Sequence, residues 1–168
     1  MDNTKALIQN QLQTFLQDAN SEEEQALTFI LDGLLRKQQG ENGSYLGGLL
    51  KATSLYDESE QRFEMTIPNS IIIQNALRIV HGGITATLLD SAMGTLVHRL
   101  LPSDVAAVTT EMKINYVAPG VGSELKCVAT IIHKGSRTVV CEGKVFRDDG
   151  KLMAHSTASF FIIPRKIK

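Results

Sequence analysis

The chain has 168 residues, a net charge of −1, 43% apolar residues and 21% charged residues. This length suits one domain with a sizeable core and a modest extension. The near-neutral charge gives no general attraction to nucleic acid or to anionic membranes, and no apolar run approaches the roughly 18 residues that span a bilayer. The first residues lack the basic and apolar blocks of a signal peptide. We therefore expect a cytoplasmic protein that binds neither nucleic acid nor membrane.

Residues 1–44 predict an N-terminal helical arm. Ser21 followed by Glu24 has the spacing of a capping box. Apolar residues then recur at helical intervals until Asn42-Gly43 breaks the pattern. The arm carries no evident chemistry, and we expect it to pack on the main domain or on a partner subunit.

Residues 45–168 form the predicted main domain, in which strand patterns surround a single long helical pattern over 83–101. Two strands precede this helix and four follow it, joined by short turns. Such an order favours an α+β domain with an antiparallel sheet over alternating βαβ units. The predicted strands span 46–56, 61–67, 105–117, 123–133, 137–147 and 151–163.

The two cysteines, Cys127 and Cys141, both fall in predicted strands and lack the spacing of metal ligands. We interpret them as buried thiols in a reducing compartment. A single bridge between them is the alternative.

The helix over 83–101 has two features that point to chemistry. Asp90 lies among apolar and small residues, where a carboxylate is costly unless something uses it. His81-Gly82-Gly83 opens the helix, so backbone N–H groups are exposed at the positive end of the helix dipole. Such an end stabilises a carbonyl oxygen that becomes negative during attack. From these residues alone, a solvent-facing carboxylate and a simple tight turn remain the ordinary explanations.

The distance between these two features is informative. Gly82 and Asp90 lie roughly 10 Å or more apart along one helix. They cannot act on the same substrate atom unless the loop folds back or a second subunit supplies one of them. Joint action on one substrate therefore requires either such a loop or a dimer, and the residues alone leave both open.

Together these motifs resemble a known family. The pattern N-x-x-x-x-x-H-G-G-x-x-x-x-L-x-D, from Asn75 to Asp90 here, is similar to that of the hot-dog-fold acyl-CoA thioesterases of the phenylacetic-acid-pathway (PaaI-like) type. The segment VTTEMKINYVAPG at 108–120 is similar to the family's strand T-x-x-M-x-I-x-Y-x-x-P. The resemblance covers about residues 45–163. It implies an antiparallel sheet of five to six strands wrapped around one long central helix.

The resemblance also implies a reaction and an assembly. The protein would hydrolyse an acyl-CoA to a free acid and CoA, without a metal or redox cofactor. It would be a homodimer that pairs again into a homotetramer, with active sites at the dimer interface. The Gly82 N–H of one protomer would polarise the thioester carbonyl. Asp90 of the neighbouring protomer would act as nucleophile or as general base on water, and both roles remain open.

Three further catalytic residues follow from the same resemblance. Asn75 would orient the water or the thioester, and His81 would shape the turn. The family's polar residue on the next strand falls on Thr109, which would position the water. Alternation along the strand puts Thr109 and Thr110 on opposite faces, and we favour Thr109.

Four residues are candidate substrate contacts. The family commonly has glycine where this chain has Arg78, whose side chain would narrow the entrance or reach a phosphate of CoA. Lys134 and Arg137, in a turn between strands, would contact the nucleotide phosphates. For all three cations, ordinary surface charge is the alternative. Gly83 would let the substrate approach the backbone closely.

Two alternative functions fit the same fold. The first is a non-catalytic acyl-CoA-binding or regulatory module, which would not need Asp90 beside the thioester. The second is a hot-dog dehydratase, whose usual Asp and His a few residues apart at one helix start are not found here. The identity of the acyl chain cannot be read from the sequence, because it depends on the depth of the pocket.

Overall fold

The computed structural model describes residues 2–165, and the chain divides into two compact units, Met1–Lys51 and Ala52–Lys168. Residue 1 and residues 166–168, at the outer ends of the two predicted domains, lie outside the described residues. No helix between residues 2 and 165 is long and apolar enough to cross a membrane.

Three helices make up the first unit, which confirms the helical character predicted for the N-terminal arm. They are α1 (Asp2–Asp18), α2 (Ser21–Gln38) and α3 (Tyr45–Leu49). The third helix corrects the predicted strand over 46–56, because the chain becomes extended only from Thr53 onward.

Side-chain caps explain where two of these helices begin. Asn20 Oδ1 accepts a hydrogen bond from the N–H of Glu23, whose carboxylate accepts from the N–H of Asn20. The capping box therefore lies one residue before the predicted Ser21, since Asn is an equally good cap. Ser44 Oγ accepts from the N–H of Gly47 at 3.0 Å. This local cap starts α3 where the sequence pattern indicated a strand.

The second unit is an antiparallel sheet of six strands packed against one long helix. Its elements are β1 (Thr53–Asp57), β2 (Arg62–Pro68), a 3-10 turn (Ile71–Ile73), α4 (Gly82–Leu100), β3 (Val105–Tyr116), β4 (Glu124–Lys134), β5 (Thr138–Arg147) and β6 (Leu152–Pro164). The strands lie in the order β1-β2-β4-β5-β6-β3, and all neighbours are antiparallel. The predicted α+β hot-dog architecture is therefore confirmed.

One face of α4 is buried against the sheet. Burying a large apolar side chain stabilises the fold by about 1.5–3 kcal/mol. Gly143 on β5 lets the helix approach closely, because a Cβ at that position would lie 2.8 Å from Leu89 Cδ2. The apolar side chains of α4 that are fully buried are those of Leu88, Leu89, Ala92, Met93, Leu96 and Val97.

The two cysteines are free and buried, which confirms the expectation of two unpaired thiols. Cys127 lies on β4 and Cys141 on β5. Burial raises the pKa of each thiol to about 12. Because the thiolate is the reactive form, neither sulfur is a nucleophile near neutral pH.

A bulge in β3 changes which of its side chains face α4. The register between β3 and β6 shifts between Thr109 and Glu111, so Thr110 is the extra residue. Thr109 and Tyr116 both contact α4, although a regular strand would place residues seven positions apart on opposite faces. The regular alternation predicted for 105–117 is therefore wrong. The bulge brings two polar side chains of one strand onto the same helix.

Candidate active site

The start of α4 is a capped turn that leaves one backbone donor available. His81 is the N-cap residue, and its Nδ1 accepts a hydrogen bond from the N–H of Gly83 at 3.0 Å. The His81 carbonyl accepts from the N–H groups of Ile84 and Thr85 at 2.9 and 3.2 Å. Among the residues that the structure describes, the N–H of Gly82 has no hydrogen-bond partner. It is therefore the open donor at the positive end of the helix dipole.

The segment before His81 is a tight turn from Asn75 to Arg78. The Arg78 N–H donates to the Asn75 carbonyl, and the Asn75 N–H donates to the Ile79 carbonyl, both at 2.9 Å. Asn75 Oδ1 accepts from the N–H of Leu77 at 2.9 Å. The turn thus occupies the side-chain oxygen of Asn75, and its Nδ2 group is the part that can donate to a ligand.

Arg78 has a φ of +58°, in the left-handed region that favours glycine. This explains why the resembling family commonly has glycine at this position of the turn. An arginine here costs about 1–2 kcal/mol of backbone strain. The side chain of Arg78 is exposed, beside the start of α4.

Asp90 and Thr109 are in direct contact. Thr109 Oγ1 donates to Asp90 Oδ1 at 2.7 Å. Thr110 Oγ1 instead donates to the Ser159 carbonyl at 3.0 Å. Of the two threonines, Thr109 is the one that orients the carboxylate. Asp90 is half-buried, so its second oxygen, Oδ2, can still meet water or a ligand.

The helix keeps the backbone donor and the carboxylate apart. At a rise of 1.5 Å per residue, Gly82 and Asp90 lie about 12 Å apart along α4. Each is also held by a different residue of β3, Gly82 by Tyr116 and Asp90 by Thr109. A single chain therefore does not bring the two groups to one atom.

Lys134 and Arg137 do not join the other candidate residues within one chain. Lys134 Nζ donates to the Leu100 carbonyl at 2.8 Å, where a cation suits the negative end of the α4 dipole. Arg137 is exposed in the same β4–β5 turn, and its carbonyl accepts from the N–H of Ile162 at 2.8 Å. Leu100 is the last residue of α4, about 27 Å along the axis from Gly82.

Tyr116 is a residue of this site to which the sequence reasoning gave no role. Its Oη donates to the Gly82 carbonyl at 3.0 Å. Its ring covers Gly82, since a Cβ on that glycine would lie 3.6 Å from three atoms of the tyrosine side chain. Tyr116 is the tyrosine of the Y-x-x-P motif, which was the sequence feature that could have pointed to it. The β3 bulge, which the sequence does not reveal, decides that the tyrosine faces α4.

The chemistry available at the site is that of a backbone donor, a carboxylate and a hydroxyl. No group of three or more His, Cys, Asp or Glu side chains within residues 2–165 could hold a metal ion. A backbone N–H at a helix start can stabilise an oxyanion. A carboxylate can serve as general base or nucleophile. This combination suits hydrolysis of an activated carbonyl.

Comparisons with known proteins decide the family. The family model described as the thioesterase superfamily matches residues 77–154. The crystal structure of the BH2602 protein from Bacillus halodurans with CoA is 45% identical to this chain. The match covers 92% of this chain and 99% of the Bacillus halodurans chain, with a TM-score of 0.85. The chain belongs to the thioesterase superfamily. This membership confirms the predicted family and fold.

Two curated relatives are similar over part of the chain. A Halobacterium salinarum protein that carries a provisional esterase name is 35% identical over 104 residues, or 59% of this chain. The medium/long-chain acyl-CoA thioesterase YigI of Salmonella typhimurium is 23% identical over 100 residues, or 52% of this chain. The chain spans 65% and 64% of the lengths of these relatives, just under two thirds. The predicted enzyme class, a hydrolase of thioester bonds, agrees with the names of the family and of YigI.

Proposed function

We propose that this protein is an acyl-CoA thioesterase, which hydrolyses a CoA thioester to a free acid and CoA. The observation that carries the proposal is an open backbone donor at Gly82 and an oriented carboxylate at Asp90, on one helix of a thioesterase-superfamily chain. The similar Bacillus halodurans structure with CoA supports CoA as the thiol half of the substrate. The proposed reaction consumes water and uses no metal or redox cofactor.

In the proposed mechanism the thioester carbonyl oxygen accepts a hydrogen bond from the Gly82 N–H. Negative charge grows on that oxygen during attack, and the N–H and the helix dipole stabilise it. Asp90 either removes a proton from a water that attacks the carbonyl carbon and gives the acid directly, or attacks the carbonyl itself to form a mixed anhydride, which water then hydrolyses to the acid and the free Asp90 carboxylate. In both cases the C–S bond breaks and CoA leaves as its thiol after taking up a proton. Thr109 holds one carboxylate oxygen so that the other faces the reacting carbon or water.

The site is proposed to combine Gly82 of one protomer with Asp90 of its neighbour. β3 is an edge strand, and no strand between residues 2 and 165 pairs with its second side. Val108 on this strand and Val117 just after it are 46% and 58% exposed. A long edge with exposed apolar side chains is suited to pairing with a second copy. Because β3 also carries Thr109, pairing along it would assemble the site in a homodimer, and two homodimers would form the proposed homotetramer.

The remaining residues at the start of α4 are assigned supporting roles. Asn75 would donate through Nδ2 to the water or the thioester. His81 maintains the turn by accepting the Gly83 N–H. Because that N–H is engaged, Gly83 would contribute space for the substrate and not a second donor. We also propose that the protein acts in the cytoplasm.

The basic residues are proposed as contacts of the CoA phosphates. Arg78 is exposed beside the helix start that receives the thioester, so its guanidinium can bind a phosphate by charge-assisted hydrogen bonds. Lys134 and Arg137 lie at the opposite end of α4 in the same chain. They would therefore serve the substrate bound at the site of the neighbouring protomer.

The function is tested with purified protein, a panel of short, medium, long and aromatic acyl-CoAs, and a thiol-detecting reagent. We expect CoA release from at least one class, and a loss of kcat of about 100-fold or more in Asp90→Asn, with unchanged thermal stability. The buried cysteines, with pKa values of about 12, should give no background in the native protein. No release from any class would contradict the proposal. Saturable binding without turnover would support the binding-module alternative.

The role of Thr109 is tested by a matched pair of isosteric variants. We expect Thr109→Val to lower kcat about tenfold, because the lost hydrogen bond orients a charged group. Thr110→Val removes a bond to a backbone carbonyl only, and should leave kcat within about twofold of wild type. Steady-state kinetics on the best substrate of the panel measures both values. Equal effects of the two variants would contradict the assignment.

Arg78 is tested by replacing it with the glycine that its backbone favours. Arg78→Gly should leave the free energy of unfolding unchanged or raise it by up to about 1 kcal/mol. It should raise the KM for acyl-CoA severalfold, less at high salt, since a phosphate contact is lost. Gln61→Gly is the control, because Gln61 has a φ of +47° in the β1–β2 turn. An unchanged KM in Arg78→Gly would exclude the phosphate contact.

A further inference from the structure

We infer that Tyr116 is a positioning residue that fixes the direction of the oxyanion donor at Gly82; this inference rests on the proposed function. Tyr116 Oη donates to the Gly82 carbonyl at 3.0 Å. The tyrosine side chain touches no other described polar group through a hydrogen bond. Its hydroxyl is therefore dedicated to the helix start.

The peptide group between Gly82 and Gly83 is clamped at both of its polar atoms. Tyr116 Oη binds its oxygen, and His81 Nδ1 binds its N–H at 3.0 Å. A peptide group is planar, so two hydrogen bonds on opposite sides fix its rotation. The Gly82 N–H belongs to the preceding peptide group. The oxygen of that group, the His81 carbonyl, accepts from the N–H groups of Ile84 and Thr85. With this peptide group and the next one both held by hydrogen bonds, the Gly82 N–H keeps one direction.

The clamp addresses a weakness of the Gly-Gly sequence. Glycine loses more backbone freedom on folding than any other residue, so two glycines at a helix start do not by themselves fix an N–H vector. A donor contributes fully to the transition state only when it already points at the developing oxyanion. The tyrosine side chain lies directly over this position, since three of its atoms would be in ordinary van der Waals contact, at 3.6 Å, with a Cβ added at Gly82.

The sheet holds Tyr116 rigidly enough to serve this purpose. Tyr116 is the last residue of β3 and pairs with Ala154 of β6. The next two N–H groups, those of Val117 and Ala118, both donate to the Met153 carbonyl, at 2.9 and 3.2 Å. The ring therefore extends from a strand end that is fastened to its neighbour. The β3 bulge orients it toward α4.

The test is Tyr116→Phe, which removes one oxygen and keeps the ring over Gly82. We expect kcat to fall about tenfold, since one aligned hydrogen bond is lost, with the KM for acyl-CoA within about twofold of wild type. Amide hydrogen exchange of Gly83, followed by NMR, should become faster because the clamp has lost one side. Tyr56→Phe, on β1, is the matched control and should change neither quantity.

Unchanged kcat and unchanged Gly83 exchange in Tyr116→Phe would overturn the inference. Lower kcat accompanied by an equally large rise in KM would also overturn it, because that pattern indicates a substrate contact. The exchange measurement needs no substrate. If wild-type protein hydrolyses no acyl-CoA, the proposed function fails, and unchanged exchange would then separately refute the clamp.

Discussion

The fixed length of α4 is the constraint on which the rest of the proposed site depends. An α-helix cannot shorten, so the Gly82 N–H and the Asp90 carboxylate stay about 12 Å apart within one chain. The helix dipole strengthens the Gly82 N–H as a donor. The hydrogen bond from Thr109 orients the Asp90 carboxylate. If Gly82 and Asp90 act on the same substrate, two protomers must each contribute one of them to the site. The exposed edge of β3 offers a surface on which such copies can join.

The β3 bulge links this spacing to the sheet. Thr109 and Tyr116 are seven residues apart, and a regular strand would turn only one of them toward α4. The extra residue, Thr110, resets the alternation, so that one strand supports the carboxylate and the helix start together. Bulges near active sites commonly redirect side chains in this way. The proposed edge of the dimer and the residues that support both proposed catalytic groups thus lie on the same strand.

Much of this arrangement could be predicted from the sequence, and the exceptions have physical causes. Hydrophobic periodicity and turn residues, which are local signals, predicted the long helix, most of the strands and the location of Asp90 within that helix. The bulge depends on the register with β6 and left no local signal. The helix α3 replaced a predicted strand because Ser44 caps it. The left-handed backbone of Arg78 was visible only as a departure from the family's glycine. Lys134, whose contact with the nucleotide stays a prediction, also caps the end of α4 in its own chain, a tertiary contact that composition does not show.

The central claim is that one site uses Gly82 and Asp90 from different protomers, and a mixed dimer tests it directly. Gly82→Pro removes the N–H alone, because proline suits the first helical position and His81 has a ψ of 134°, as favoured before proline. Gly82→Ala keeps the N–H and serves as the control. Dimers that combine one Gly82→Pro chain with one Asp90→Asn chain are purified through two different tags.

Each variant alone should be nearly inactive, whereas the mixed dimer should recover about half of the wild-type activity, since one of its two symmetric sites is intact. A mixed dimer as inactive as its parents, with an active Gly82→Ala control, would show that both groups act within one chain.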